Sequence, residues 1–305
     1  MEFLMWLEQL RVPFITQIML LITKLGEETA FLVIALIVFW CVDKKRGYLL
    51  MAVGFMGTIL NQFLKMICMV PRPWTRGMDF HPVEEAKAAA GGYSFPSGHT
   101  TMAVGTFGAL AVTDRRKWPV ALFAALALLV GFSRMYLGVH SPEDVLVGAL
   151  TSIVLIAVFK PILYGNHKTI CYILLGTMTL LAAAFTMYVE CYPFPADYDA
   201  HNYASGVKNA YTMLGCVPGA LVVYILEEKY VKFDEKGIWW VQLIKIVGGI
   251  CADLAVKEGL RIPIDFICGG HMAARAVRYF LIVIVAGILW PMTFKFWNGI
   301  AEKRK

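Results

Sequence analysis

The stretch ALFAALALLVGFSRMYL, residues 121–137, decides the fold. It carries one charge, Arg134, close to its C-terminal end, and no alternation of polar and apolar residues. With its flanks it reaches the roughly 20 apolar residues that carry an α-helix across the hydrocarbon of a bilayer. Comparable runs recur from start to finish, at Thr29–Val42 with its flanks and at Val277–Trp290. Over 305 residues, 59% are hydrophobic and 16% charged, and the mean hydropathy is +0.64. A soluble domain sits nearer half apolar and about a quarter charged. Without strand-period alternation a transmembrane barrel is excluded as well, which leaves an all-α polytopic membrane bundle.

Nine spans read at 26–42, 47–70, 97–113, 117–137, 142–163, 168–189, 206–227, 237–256 and 275–297. Residues 3–24 are amphipathic and read as a tenth span or as a helix in the membrane interface. They do not read as a cleavable leader, because Glu8, Arg11 and Pro13 interrupt them and no small-residue cleavage site follows. The net charge of +6 raises the question of nucleic acid, but the basic residues lie in short loops, so no nucleic-acid partner is expected. Asp43–Arg46, Asp114–Lys117, the His167-Lys168 turn, the 227–236 loop and the Lys303–Lys305 tail fall on one side, which the positive-inside rule makes cytoplasmic. The opposite side carries the 71–96 loop, the 138–141 turn and the 190–205 loop; Lys257, Arg261, Arg275 and Arg278 fall there against the bias. Seven scattered cysteines read as small apolar residues, with Cys191–Cys268 the one disulfide worth considering. There is no internal repeat. The turn near Asn166 divides the chain into residues 1–165, which hold the chemistry below, and a C-terminal extension, 166–305, of about four spans.

Three short segments carry that chemistry, all at helix ends on the non-cytoplasmic side. The first is Lys65 followed by Arg72-Pro73. Lys65 lies in an apolar span, where an unpaired cation is costly. It either snorkels to the surface or meets an anion; Arg72 follows two helical turns on, hence on nearly the same face, and Pro71 and Pro73 stop the helix there. The second is Pro96-Ser97-Gly98-His99. Ser97 reads as a helix cap, Gly98 permits close approach of a ligand to the backbone, and the first-turn N–H groups favour an anion. His99 is an interfacial histidine or a proton donor. The third is Ser133-Arg134, His140 and Asp144. Ser141-Pro142-Glu143-Asp144 alone is a helix start with a capping-box acid. It does not account for His140 one turn before Asp144, where the carboxylate can hold one ring nitrogen and orient the other outward as a nucleophile. Three cations, a helix N-terminus, two histidines and an aspartate are the parts of a phosphoryl-transfer site. No metal and no cofactor is expected, because no Cys/His or Asp/Glu group near the segments has ligand spacing and the cations already neutralise a phosphate. The remaining histidines, at 81, 167, 201 and 271, read as loop or interfacial residues, with His81 within reach of the site from its loop. Asp253, Lys257, Arg261 and Asp265 read as charges that pair with one another at the membrane border, or as contacts to a lipid headgroup.

The patterns K-x6-R-P, P-S-G-H and S-R-x5-H-x3-D resemble the signature of the type-2 phosphatidic acid phosphatase superfamily, in order and complete, over roughly residues 26–163. The resemblance implies a six-helix phosphatase core and metal-independent hydrolysis through a phosphohistidine. It further implies His140 as nucleophile, Asp144 as its orienting partner and His99 as general acid. Lys65, Arg72, Ser97, Gly98 and Arg134 would bind the phosphate. The vanadium haloperoxidases are similar at the same patterns. The extra C-terminal spans, the G-E-E-T-A-F stretch at 26–31 and the run from Phe39-Trp40 to Asp43 resemble the sphingosine-1-phosphate phosphatase branch, which reads P-S-T-H where this chain has Gly98. The expected function is an integral membrane phosphatase, of the plasma membrane with its site outside the cytoplasm, acting on a lipid phosphate or pyrophosphate among membrane lipids. Polyprenyl pyrophosphate, phosphatidic acid, phosphatidylglycerol phosphate and sphingoid-base phosphate all remain open as substrates, as does assembly into a homo-oligomer. The alternatives are a transporter or flippase that binds lipid phosphate without cutting it, for which Lys245 and Asp253 would suit a pathway, and a vanadate-dependent oxidase.

Overall fold

The computed structural model describes residues 1–77, 80–165, 168–195 and 198–302, with Glu302 described by its backbone alone. His167 and the Lys303–Lys305 tail, used above for orientation, lie outside the described residues. The chain is 81% helical and has no strand among the described residues, as an all-α polytopic membrane protein requires, since only internally paired backbone is stable in hydrocarbon. The helices are α1 Glu2–Gln9, α2 Pro13–Lys24, α3 Glu28–Cys41, α4 Lys44–Cys68, α5 Glu84–Ala88, α6 Gly98–Ala103, α7 Ala109–Thr113, α8 Lys117–Tyr136, α9 Pro142–Tyr164, α10 Lys168–Cys191, α11 Ala200–Leu226, α12 Trp239–Gly259, α13 Arg261–Ile267, α14 Ala273–Ile284, α15 Trp290–Met292 and α16 Phe294–Glu302. Wide turns at Val104–Gly108 and Val285–Leu289 join α6 to α7 and α14 to α15.

All nine expected spans fall on helices, and among the described residues seven helical stretches are long and apolar enough to cross a membrane. The other two are short: α3 has 14 residues, and the helix that opens at Gly98 ends at Thr113, before Asp114 turns extended. Residues 3–24 are not one span. Val12 is extended and Pro13 opens a new helix, so the stretch breaks into α1 and α2. The seven cysteines are free thiols.

The chain packs as two compact units. The first comprises residues 1–32, 49–161 and 189–207. Within it α2 and α6 lie along α8, and small residues bring backbones together. A Cβ on Gly148 of α9 would lie 2.7 Å from the carbonyl oxygen of Ser97, and one on Gly131 of α8 would lie 3.3 Å from Val145. Ser152 donates to the Thr101 carbonyl at 2.6 Å, pinning α9 to α6. As a result the C-terminal ends of α4 and α8 and the N-terminal ends of α6 and α9 meet at one end of this unit.

The second unit comprises residues 33–48, 162–188 and 208–305. Gly215 and Gly219 of α11 abut α14, where a Cβ on Gly219 would lie 3.1 Å from Val283. The Trp40 indole donates to the Ala286 carbonyl at 2.8 Å, and Lys44 pairs with Glu227 at 2.9 Å. Lys245 is fully buried, and its ammonium donates to the carbonyls of Asp234, Glu235 and Lys236 at 2.9, 3.1 and 2.9 Å. The expected pairing among Asp253, Lys257, Arg261 and Asp265 does not form. Both Asp253 oxygens are buried without a partner among the described residues, and the Lys257 ammonium lies 4.0 Å from Glu258 instead.

Candidate active site

Every residue of the three segments comes to that one end of the first unit. Lys65 stands near the end of α4, which stops at Cys68 because Pro71 follows and Met69 takes a left-handed φ of 44°. The helix stops ahead of the prolines, as expected, so Arg72 lies beyond it and helical periodicity does not set it on the face of Lys65. The chain unwinds over 69–72, and Arg72 reaches the site from the loop, its guanidinium 5.8 Å from the Trp74 ring. Ser97 caps α6, accepting from the Thr100 amide at 3.4 Å and its hydroxyl at 2.9 Å. Gly98 opens the helix, and a Cβ there would lie 3.4 Å from Asn61 Oδ1. Arg134 ends α8, and its carbonyl accepts the amides of Val139 and His140 at 3.1 and 3.3 Å, folding the third segment back onto the helix end.

His140 is the centre. It is 2% exposed. Its Nδ1 is 3.3 Å from Asp144 Oδ2, and its Nε2 is 3.0 Å from Arg72 Nη1. A guanidinium only donates, so Nε2 carries the lone pair and Nδ1 carries the proton that faces Asp144. The same Asp144 oxygen accepts from the Ser94 hydroxyl at 2.5 Å and from the Ser141 amide at 2.8 Å. The capping-box reading and the orienting reading of Asp144 are thus both satisfied by one oxygen. Burial, and then the positive charges of Arg72, Lys65 and Arg134, hold the His140 pKa well below that of an ordinary histidine, with His99 adding to the effect. His140 is therefore neutral at neutral pH.

Lys65 and Arg72 are held by backbone carbonyls. Lys65 donates to Tyr93 and, at 3.4 Å, to Ser94. Arg72 donates to Gly92, Val139 and Gly91 at 3.0, 2.9 and 2.7 Å. Carbonyls orient a cation without cancelling its charge, so an electropositive cluster stands beside the His140 lone pair. Among the described residues no group of three or more His, Cys, Asp or Glu side chains converges as metal ligands.

His81 does not join the cluster. Its ring is exposed and lies 3.5 Å from Glu8. Sequence reading missed Ser94, Asn61 and Thr23. Asn61 donates to the Pro96 carbonyl and to Thr101 Oγ1, both at 3.2 Å, and Thr23 meets Arg134 at 2.7 Å. Asn61 lies one turn before Lys65 on α4, a spacing that places it beside the cation. Thr23 offers no comparable signal.

Comparison with known proteins matches two segments of the chain. Residues 46–168 match the PAP2 superfamily, and residues 211–303 match the PAP2 superfamily phosphatase transmembrane extension. The chain is 34% identical over 103 residues to undecaprenyl-diphosphatase BcrC of Bacillus subtilis, covering 33% of this chain and 50% of that protein. It is 29% identical over 164 residues to phosphatidylglycerophosphatase B of the same organism, covering 50% and 76%. To mouse sphingosine-1-phosphate phosphatase 2 it is 30% identical over 144 residues, covering 45% and 39%. The chain thus spans half the length of the first of these relatives. No solved structure matches.

Proposed function

The chain belongs to the PAP2 superfamily through residues 46–168, and on that premise we propose that it is a multi-pass membrane phosphatase that hydrolyses lipid phosphate or pyrophosphate monoesters through a phosphohistidine. The observation that carries this reading is the pair of contacts on the His140 ring: Asp144 on Nδ1 and, on the lone-pair nitrogen, a guanidinium where a phosphate oxygen would draw it. Substrate phosphate displaces Arg72 from Nε2 and takes its charge. His140 Nε2 attacks phosphorus as the P–O bond to the lipid breaks, and His99 gives its proton to the departing oxygen. Water, deprotonated by His99, then attacks the phosphohistidine, releases phosphate and restores neutral His140. Lys65, Arg72, Arg134 and the amides of the α6 N-terminus capped by Ser97 and opened by Gly98 stabilise the charge on the equatorial oxygens. No step requires a metal, because this cluster supplies the neutralisation.

The basic 114–117 connection lies at the other end of α7 and α8 from the site, and the positive-inside rule assigns that end to the cytoplasm. The site then faces away from the cytoplasm, and we assign the protein to the plasma membrane. The relatives include one named for undecaprenyl diphosphate, at 34% identity, and one named for phosphatidylglycerophosphate, of which 76% is covered, and these favour an isoprenoid or glycerolipid phosphate. The test is phosphate release by purified protein from a lipid panel with EDTA present, with an acid-labile, base-stable phosphoenzyme trapped by rapid quench. Intact cells should also cut a short-chain phosphate too polar to cross the membrane. Activity abolished by EDTA and restored by a divalent ion, or turnover without phosphoenzyme, would sink this mechanism.

A further inference from the structure

We infer that Thr23, in the amphipathic helix α2 and outside the residues that match the superfamily, is a positioning residue that turns the phosphate-binding edge of Arg134 toward the substrate. The inference rests on the phosphate-binding reading of Arg134 and extends the site to the N-terminal segment.

Arg134 is 2% exposed. Its Nη1 donates to the Thr23 hydroxyl at 2.7 Å, and Thr23 is itself 6% exposed. Nε is buried and has no partner, and Nη2 makes no hydrogen bond among the described residues. The arrangement is directional. Nε–H and Nη2–H lie along one edge of a guanidinium and form the side-on fork that takes two oxygens of a phosphate. Nη1 lies on the other side. Thr23 therefore anchors the nitrogen that a side-on phosphate does not use and leaves the fork unpaired. A buried Nε–H without an acceptor is costly, and a phosphate oxygen at the fork removes that cost.

Two further contacts fix α2 and the turn before it at this place. Thr16 and Tyr136 hydroxyls lie 3.4 Å apart, and Arg11 donates to the Tyr136 carbonyl at 2.9 Å, both at the end of α8. A Cβ on Gly26, just past α2, would lie 2.8 Å from the His99 carbonyl oxygen, so the turn that follows Thr23 seats directly on the second catalytic segment. Glu27 in that turn lies within electrostatic reach of Arg134, but the hydrogen bond that sets the guanidinium's rotation comes from Thr23.

The test uses the purified full-length protein and two readouts: equilibrium binding of orthovanadate, a phosphate mimic, and steady-state hydrolysis. Thr23→Val removes the acceptor and keeps the shape, and it should weaken orthovanadate binding by roughly tenfold to a hundredfold, the range of a hydrogen bond to a charged group. KM should rise by a similar factor with kcat changed much less, as expected for lost ground-state binding. Thr23→Ser restores the acceptor and should stay within about threefold of the unaltered protein. On an Arg134→Lys background, which has no fork, Thr23→Val should add nothing. If Thr23→Val does not fold, Thr23→Ala carries the same expectations. Orthovanadate binding by Thr23→Val equal to that of the unaltered protein would overturn the inference, as would failure of Thr23→Ser to rescue or a full additional loss on the Lys background. An unaltered protein that binds orthovanadate through Arg134 and Thr23 but hydrolyses no lipid leaves the inference standing and removes the phosphatase reading. One that binds no orthovanadate removes both.

Discussion

The two packing units both bury charge, and they handle it differently. In the first unit Lys65, Arg72, Arg134, His140 and Asp144 are all buried and converge from three helix ends, the loop at Arg72 and the turn at His140. In the second, Lys245 is capped by three carbonyls of the 234–236 segment, and Glu227 takes Lys44 at 2.9 Å and the Tyr48 hydroxyl at 3.2 Å. Arg278 and Asp253 carry buried atoms with no partner, but neither meets an opposite charge among the described residues. Buried charge is therefore not by itself the mark of a site. The first unit is distinguished by an oriented lone pair, a proton held on the far side of the same ring, and three cations gathered around that ring. In the second unit the tidy charges serve packing and the untidy ones stand alone.

The severest test of this contrast is at its centre. His140→Ala should lower turnover by several orders of magnitude, as loss of a covalent nucleophile does, while the circular dichroism and thermal unfolding of the purified protein stay close to those of the unaltered chain. Because burial and the neighbouring cations lower the His140 pKa, protonation, and with it loss of the nucleophile, occurs only as pH falls well below 6.5. Once corrected for the substrate's own ionisation near pH ~6, kcat/KM, which reports the free enzyme, should show no acid limb from His140 down through pH 6.5. An acid limb centred at or above 6.5 that moves with His140 environment variants would contradict the burial argument. Lys245→Met, the matching change in the second unit, should leave kcat untouched whatever it does to unfolding.

A smaller effect is expected where the sequence was silent. Ser94 donates to the Asp144 oxygen that also faces His140 Nδ1. Ser94→Ala removes one of the donors that fix that oxygen, and kcat should fall by about tenfold, the worth of a hydrogen bond to a charged group. KM should hold, because no phosphate ligand is touched. An equal rise in KM would show that the change disturbs the Lys65 carbonyl cage, to which Ser94 also contributes, rather than the aspartate.

Ser94 also shows where sequence reading stopped. The spans, the Ser97 cap and the pairing of His140 with Asp144 were legible because each follows from local spacing: hydrophobic length, a cap three residues from its amide, a carboxylate one turn from an imidazole. Arg72 meets the same cluster as Lys65 by another route than the two-turn spacing read for it, since the left-handed Met69 and Pro71 end the helix before it. Ser94 acts over 50 residues and Thr23 over 111. A single hydroxyl at such a distance leaves no periodicity, and only the packing of α2 and the 91–94 segment against the helix ends reveals it. The same holds for the 253–265 charges, whose expected mutual pairing depended on side chains from α12 and α13 facing one another.

Those charges give the smallest expected effect and the sharpest limit on the contrast. Lys257 and Arg261 are exposed, and the nearest carboxylate to the Lys257 ammonium is Glu258 at 4.0 Å, too long to hold either side chain. They stand at the end of α12 and the start of α13, where basic residues at a membrane border attract anionic headgroups at roughly 1 kcal/mol each. The double variant Lys257→Ala, Arg261→Ala should therefore leave hydrolysis of a short, water-soluble phosphate unchanged, because the oriented set around His140 is intact. On a long-chain lipid phosphate in anionic vesicles, activity should fall by no more than about fivefold through weaker surface attraction, and raised salt should erase the difference. A loss on the soluble substrate would mean that the second unit contributes to the chemistry, and the division drawn between the two units would fail. A loss on the lipid that survives raised salt would instead mark a specific headgroup contact.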